Sequence, residues 1–149
     1  MTIGEAIDPV MLPVACALAV VAILFFFWHV GRRYPSAPKI VPLGLRIDGR
    51  PGRPGRKRWL WLPPAILAAV TALLSFVLLR VPAATEPRAV IALVFLSFAE
   101  VAVFGAWQTD RQIELARKMT YRIAPLRTLR AFFPILVTIV VTIVVAIRP

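Results

Sequence analysis

Residues 10–30 read VMLPVACALAVVAILFFFWHV, 21 consecutive positions without a charged side chain. A helix rises about 1.5 Å per residue, so about 20 such positions cross a hydrocarbon core of roughly 30 Å. Three further apolar runs follow, at 59–80, 89–107 and 131–147. The third is interrupted by one carboxylate, Glu100. The fourth is rich in Thr, Ile and Val, which in water would favour a strand. In lipid a lone strand leaves its backbone groups unpaired, so a helix is predicted there too.

Only 17% of the residues are charged and 60% are hydrophobic, against about 25% charged in an ordinary soluble domain. This excludes a soluble domain, a disordered chain and a disulfide scaffold. The single cysteine, Cys16, excludes an internal disulfide, and the single histidine, His29, excludes the His pairs of most zinc and iron sites. The prediction is an all-α membrane protein of one domain, 1–149, with four transmembrane helices and no metal or cofactor. The region before the first run carries Glu5 and Asp8 and no basic side chain, so that run is expected to be retained rather than removed as a signal peptide.

The net charge of +11 is unevenly placed. Segment 31–58 holds nine basic residues and one acid, Asp48, and segment 108–130 holds six basic residues and two acids, Asp110 and Glu114. The positive-inside rule then predicts two basic cytoplasmic loops, both termini outside, and a multi-pass protein of the cell inner membrane. Trp28, Trp59, Trp61 and Trp107 all fall at the cytoplasmic interface in this arrangement, where amphipathic rings are favoured.

Within the first loop, Tyr34, Pro35, Pro38, Val41, Pro42, Gly49, Pro51 and Lys57 are followed by Leu62-Pro63. The density of proline and glycine predicts an extended, turning segment with neither regular helix nor strand, yet an ordered one, because prolines lower the entropy lost on ordering. The spacing resembles the pattern of the SdpI-like membrane family, named for an immunity protein against a sporulation-delaying toxin. That pattern runs approximately Tyr-Pro-x-Leu-Pro-x-x-Ile-Pro-x-His, then Asn, Gly, Pro-Asp, Trp and Lys, between two membrane helices. The eight positions fall in register without a gap. The family's His, Asn, Asp and Trp positions hold Gly44, Arg46, Gly52 and Pro54. The backbone-shaping residues remain and the polar side chains are gone. The resemblance covers about forty residues and implies a four-helix protein that acts by interaction, with none of the family's polar chemistry carried over.

Arg50, Arg53, Arg56, Lys57 and Arg58 close this loop. Beside a membrane helix such a run contacts anionic lipid headgroups at about 1 kcal/mol per cation; a nucleic-acid partner is not expected. In the second loop Thr109 or Asp110 is the expected cap of a helix continuing past the membrane, Glu114 and Lys118 pair at i,i+4, and Pro125 breaks the segment.

Glu100 lies near mid-depth, where a charge costs about 2.5–3.5 kcal/mol on insertion scales and so faces the bundle interior by default. Thr71 and Ser75, Thr138 and Thr142, and Ser97 are the expected members of a polar cluster around it. Alanines at 15, 19 and 22, at 65, 68, 69 and 72, and at 99, 102 and 106 are expected to line helix contacts. His29 is expected to be interfacial, and Cys16 inert packing. No nucleophile–base pair, metal cluster or phosphate cradle is visible, so a non-enzymatic protein is expected: an immunity, sensing or accessory subunit with another membrane protein or a second copy as partner. The alternative is a small oligomeric transporter or proton-coupled component using Glu100.

Overall fold

The structure, a computed structural model, describes residues 3–45, 50–78, 80, 88–117 and 125–147. Four helices, α1 (Ile3–Arg33), α2 (Leu62–Leu78), α3 (Arg88–Ala116) and α4 (Pro125–Ile147), form the structure, with a hairpin of β1 (Ile40–Leu45) and β2 (Pro51–Arg56) in the chain between α1 and α2. Short 3-10 turns, Tyr34–Ser36 and Lys57–Trp61, join the hairpin to its flanking helices. Four segments are long and apolar enough to cross a bilayer: Val10–Ser36, Lys57–Leu78, Ala89–Ala116 and Arg127–Val144.

The starts of α2 and α4 depart from expectation for local reasons. α2 opens on Leu62-Pro63-Pro64, in the first turn where a missing N–H breaks no intrahelical bond. α4 begins at Pro125, six residues before 131, because proline is tolerated at that first position. α3 continues past 107 to Ala116, the expected extension of that helix beyond its apolar run. Thr109 and Asp110 therefore lie inside it and cap nothing; the Thr109 hydroxyl donates instead to the Gly105 carbonyl.

α3 is the central helix. Its buried residues Ala92, Phe95, Ala99, Ala102, Ala106, Thr109 and Ile113 recur at alternating spacings of three and four, the seam of a left-handed helix pair. α1 answers with Ala15, Ala19, Ile23, Phe26 and Val30. Ala15 and Ala19 cluster with Ala92 and Phe95, and Phe26 meets Gly105, so the two helices run parallel. A Cβ on Gly105 would lie 2.5 Å from Phe26 Cε1 and Cζ, so the glycine is the hole into which that ring packs. α4 lies antiparallel to α3, with Phe104 edge-on to Phe132 and Thr138 against Glu100. α2 buries one stripe, Pro64, Leu67 and Thr71, with Leu74 and Leu78 half-buried. The alanine contacts hold for α1 and α3. On α2 the expectation holds for Ala68, which packs against the core, and fails for Ala65, Ala69 and Ala72, which are exposed because that helix packs through the neighbouring stripe.

The hairpin corrects the expectation that prolines exclude strand from the first loop. Its strands are antiparallel, with Val41 opposite Gly55, Pro42 opposite Pro54 and Leu43 opposite Arg53. The Lys57 N–H donates to the Lys39 carbonyl at 3.0 Å, which makes that pair a hydrogen-bonded one. Pairs alternate along an antiparallel ladder, so Pro42 and Pro54 fall together on a position that needs no N–H. Gly44 takes φ +80°, and a Cβ on Gly52 would lie 2.3 Å from the Leu43 carbonyl oxygen; only glycine suits either place. β1 packs on the extension of α3. Val41 is fully buried in a core with Val30, Ala37, Leu60 and Ile113. The fold is thus mostly helical, with one two-stranded hairpin among the described residues.

Candidate intramembrane groove and basic face

Glu100 faces α4, as its cost in lipid demands. The Thr138 hydroxyl donates to Glu100 Oε1 at 2.8 Å. Glu100 Oε2 is buried and has no hydrogen-bond partner among the described residues. The rest of the expected cluster does not assemble. Thr71 donates to the Leu67 carbonyl, Ser75 to that of Thr71, Ser97 to that of Leu93 and Thr142 to that of Thr138. Each of these hydroxyls is satisfied one turn back on its own helix, the commonest outcome for Ser and Thr in a membrane span. Similar depth along the helices therefore does not decide which of these polar groups meet.

Glu100 lines a groove of about 670 Å³ between α1, α3 and α4. Its walls are apolar: Leu18, Val21 and Phe25 of α1, Val103 and Phe104 of α3, and Pro134 and Ile135 of α4. α2 takes no part in it. A long apolar trough with one carboxyl group suits an apolar segment or chain presenting a single donor.

Away from the groove, the ends of α1 and α3 meet the hairpin. Asp110 Oδ1 lies 2.9 Å from Arg33 Nε and 3.1 Å from His29 Nε2, the latter without hydrogen-bond alignment. Sequence reasoning missed this cluster. His29 and Arg33 share a face at i,i+4, but nothing in α1 alone points to Asp110. Glu114 pairs with Arg111; Lys118, its expected i,i+4 partner, lies outside the described residues. The Arg117 guanidinium donates to the Ser36 carbonyl and ties α3 to the turn after α1.

The ends of the family-like motif come together. Lys57 Nζ sits 4.6 Å from the centre of the Tyr34 ring, whose neighbour is Trp61 at 5.9 Å. Pro42 is buried, Pro38 half-buried, and Pro35 and Pro51 exposed; Gly49 lies outside the described residues. Arg50, Arg53, Arg56 and Arg58 are exposed. Arg32 lies over Trp28, Arg58 over Trp59 and Arg111 over Trp107, so three of the four tryptophans carry a guanidinium against the ring. Among the described residues no group of three His, Cys, Asp or Glu could hold a metal ion.

Four helices able to span a bilayer, packed around α3, define a multi-pass membrane protein. No protein-family model, curated protein or solved structure matches this chain.

Proposed function

We propose that this is a non-enzymatic inner-membrane protein that acts by docking a segment of another membrane protein in the groove between α1, α3 and α4. The carrying observation is the carboxyl group of Glu100, with one oxygen held by Thr138 and the other buried without a partner. A buried acceptor left unsatisfied costs about 1–3 kcal/mol. A partner helix bringing a hydroxyl or amide N–H to mid-depth relieves that cost, because the terminal torsion of Glu is soft enough to turn the carboxyl group toward the groove. The register of Tyr34, Pro35, Pro38, Pro42 and Lys57 favours kinship with SdpI-like proteins, and with it a role in immunity, sensing or as an accessory subunit. The basic face supports an orientation with both termini outside.

The same orphaned oxygen favours one second reading, a proton-coupled component using Glu100 within an oligomer. One experiment separates the two. Photo-reactive residues at Val21 and Val103 are cross-linked in native membranes, with Leu73 on α2 as control. Docking predicts one discrete adduct from the two groove positions, weakened by Glu100→Leu and retained by Glu100→Gln. An adduct at twice the mass of the chain identifies a second copy as the occupant. No groove-specific adduct, with liposome proton flux lost in a folded Glu100→Gln protein, replaces docking by the proton-coupled reading.

A further inference from the structure

A second cleft, independent of the groove, opens where α2 begins. It is a shallow, open cleft of about 350 Å³ lined by Arg58, Trp59, Trp61, Leu62 and Ala65. Its composition changes along its length. Arg58 supplies a guanidinium at the hairpin end, and Trp59 and Trp61 are 43% and 36% exposed beside it. Leu62 and Ala65 continue the cleft onto α2, whose exposed Ile66 and Leu73 prolong the same apolar face. Trp61 is held in place from behind, against Phe27 at 6.3 Å and Tyr34 at 5.9 Å between ring centroids. Gly31 contributes to that seat, since a Cβ there would lie 3.4 Å from Trp61 Cη2.

We propose that this cleft is a specific site for one anionic phospholipid. Charge complementarity selects the occupant. A planar guanidinium with several N–H donors matches a phosphate diester, and indole rings sit stably at headgroup level. The apolar cleft below them takes the first part of an acyl chain. The same cations spread diffusely would attract anionic lipid without choosing among positions; the cleft confines the preference to Arg58. Arg53 is the internal comparison, equally cationic and exposed but on β2, outside the cleft.

The test uses the full chain in vesicles of phosphatidylcholine with about 10 mol% lipid brominated on its acyl chains, either phosphatidylglycerol or phosphatidylcholine, read by quenching of tryptophan fluorescence. Brominated phosphatidylglycerol quenches more strongly than brominated phosphatidylcholine at equal content. Arg58→Gln lowers the apparent affinity for the anionic lipid by about five-fold, the equivalent of one membrane-surface cation. Arg58→Lys restores part of that loss, and Arg53→Gln leaves the affinity within about two-fold. Soluble glycerol phosphate at millimolar concentration does not relieve quenching. Equal losses from Arg53→Gln and Arg58→Gln, or equal quenching by the two brominated lipids, overturn the site. Competition by glycerol phosphate overturns the lipid in favour of a free phosphate ester.

Discussion

The ring of Phe26 fills the space that any side chain at residue 105 would need, 2.5 Å from a Cβ built on Gly105. Phe26 is only 2% exposed, and Ala102 and Ala106 bury the seam on either side of the contact. With Ala15, Ala19 and Ala92 at the far end, the α1–α3 pair is held by close backbone approach. In lipid, where no hydrophobic force draws apolar helices together, such packing is a principal source of association.

Gly105→Ala is therefore expected to destabilise the protein by about 1–3 kcal/mol, the usual cost of overpacking. Phe26→Leu in the same chain recovers part of that loss, because it removes the ring atoms in conflict. Thermal denaturation in mild detergent of the two single variants and the double variant measures the coupling. Strict additivity would mean that the ring and residue 105 do not touch.

Thr138→Val removes the donor to Glu100 and leaves both carboxyl oxygens without a protein partner. A loss of about 0.6–2 kcal/mol is expected from interhelical hydrogen bonds in bilayers. Adding Glu100→Leu to Thr138→Val should restore stability, since removing both partners of a buried hydrogen bond costs less than removing one. A double variant less stable than Thr138→Val would show that Glu100 has a stabilising contact other than Thr138.

The hairpin predicts unequal costs for two small changes. Gly44→Ala places a Cβ on a residue at φ +80° and should cost about 1–2 kcal/mol of local stability. Pro54→Ala adds an N–H at a non-hydrogen-bonded position and should cost under about 1 kcal/mol, through unfolded-chain entropy. Hydrogen exchange of Val41 and Leu43 amides in reconstituted protein reads both. Unprotected amides in the unmodified chain would mean that the hairpin is not formed in the bilayer.

In a Cys16→Ala background, a thiol at Arg53→Cys is expected to react with an impermeant maleimide only after the cells are opened, and one at Thr2→Cys in intact cells. The reverse pattern would turn the whole arrangement over and put the basic face outside.

The sequence by itself determined that this chain carries four helices long and apolar enough to cross a membrane, because apolar runs of about 20 residues satisfy their own backbone groups in lipid by forming helices. The lone mid-depth carboxylate and the inward-facing alanines of α1 and α3 were legible for the same reason, since burial cost and residue size are properties of single positions. Tertiary structure alone decided who meets whom. Thr138 rather than Thr71 binds Glu100, because neighbouring hydroxyls close onto carbonyls one turn back on their own helices. Asp110 meets His29 and Arg33 only once α1 and α3 lie parallel in one register. The prolines of the first loop argued locally against a strand. Ladder phase, a property of two segments at once, placed Pro42 and Pro54 where no N–H is needed.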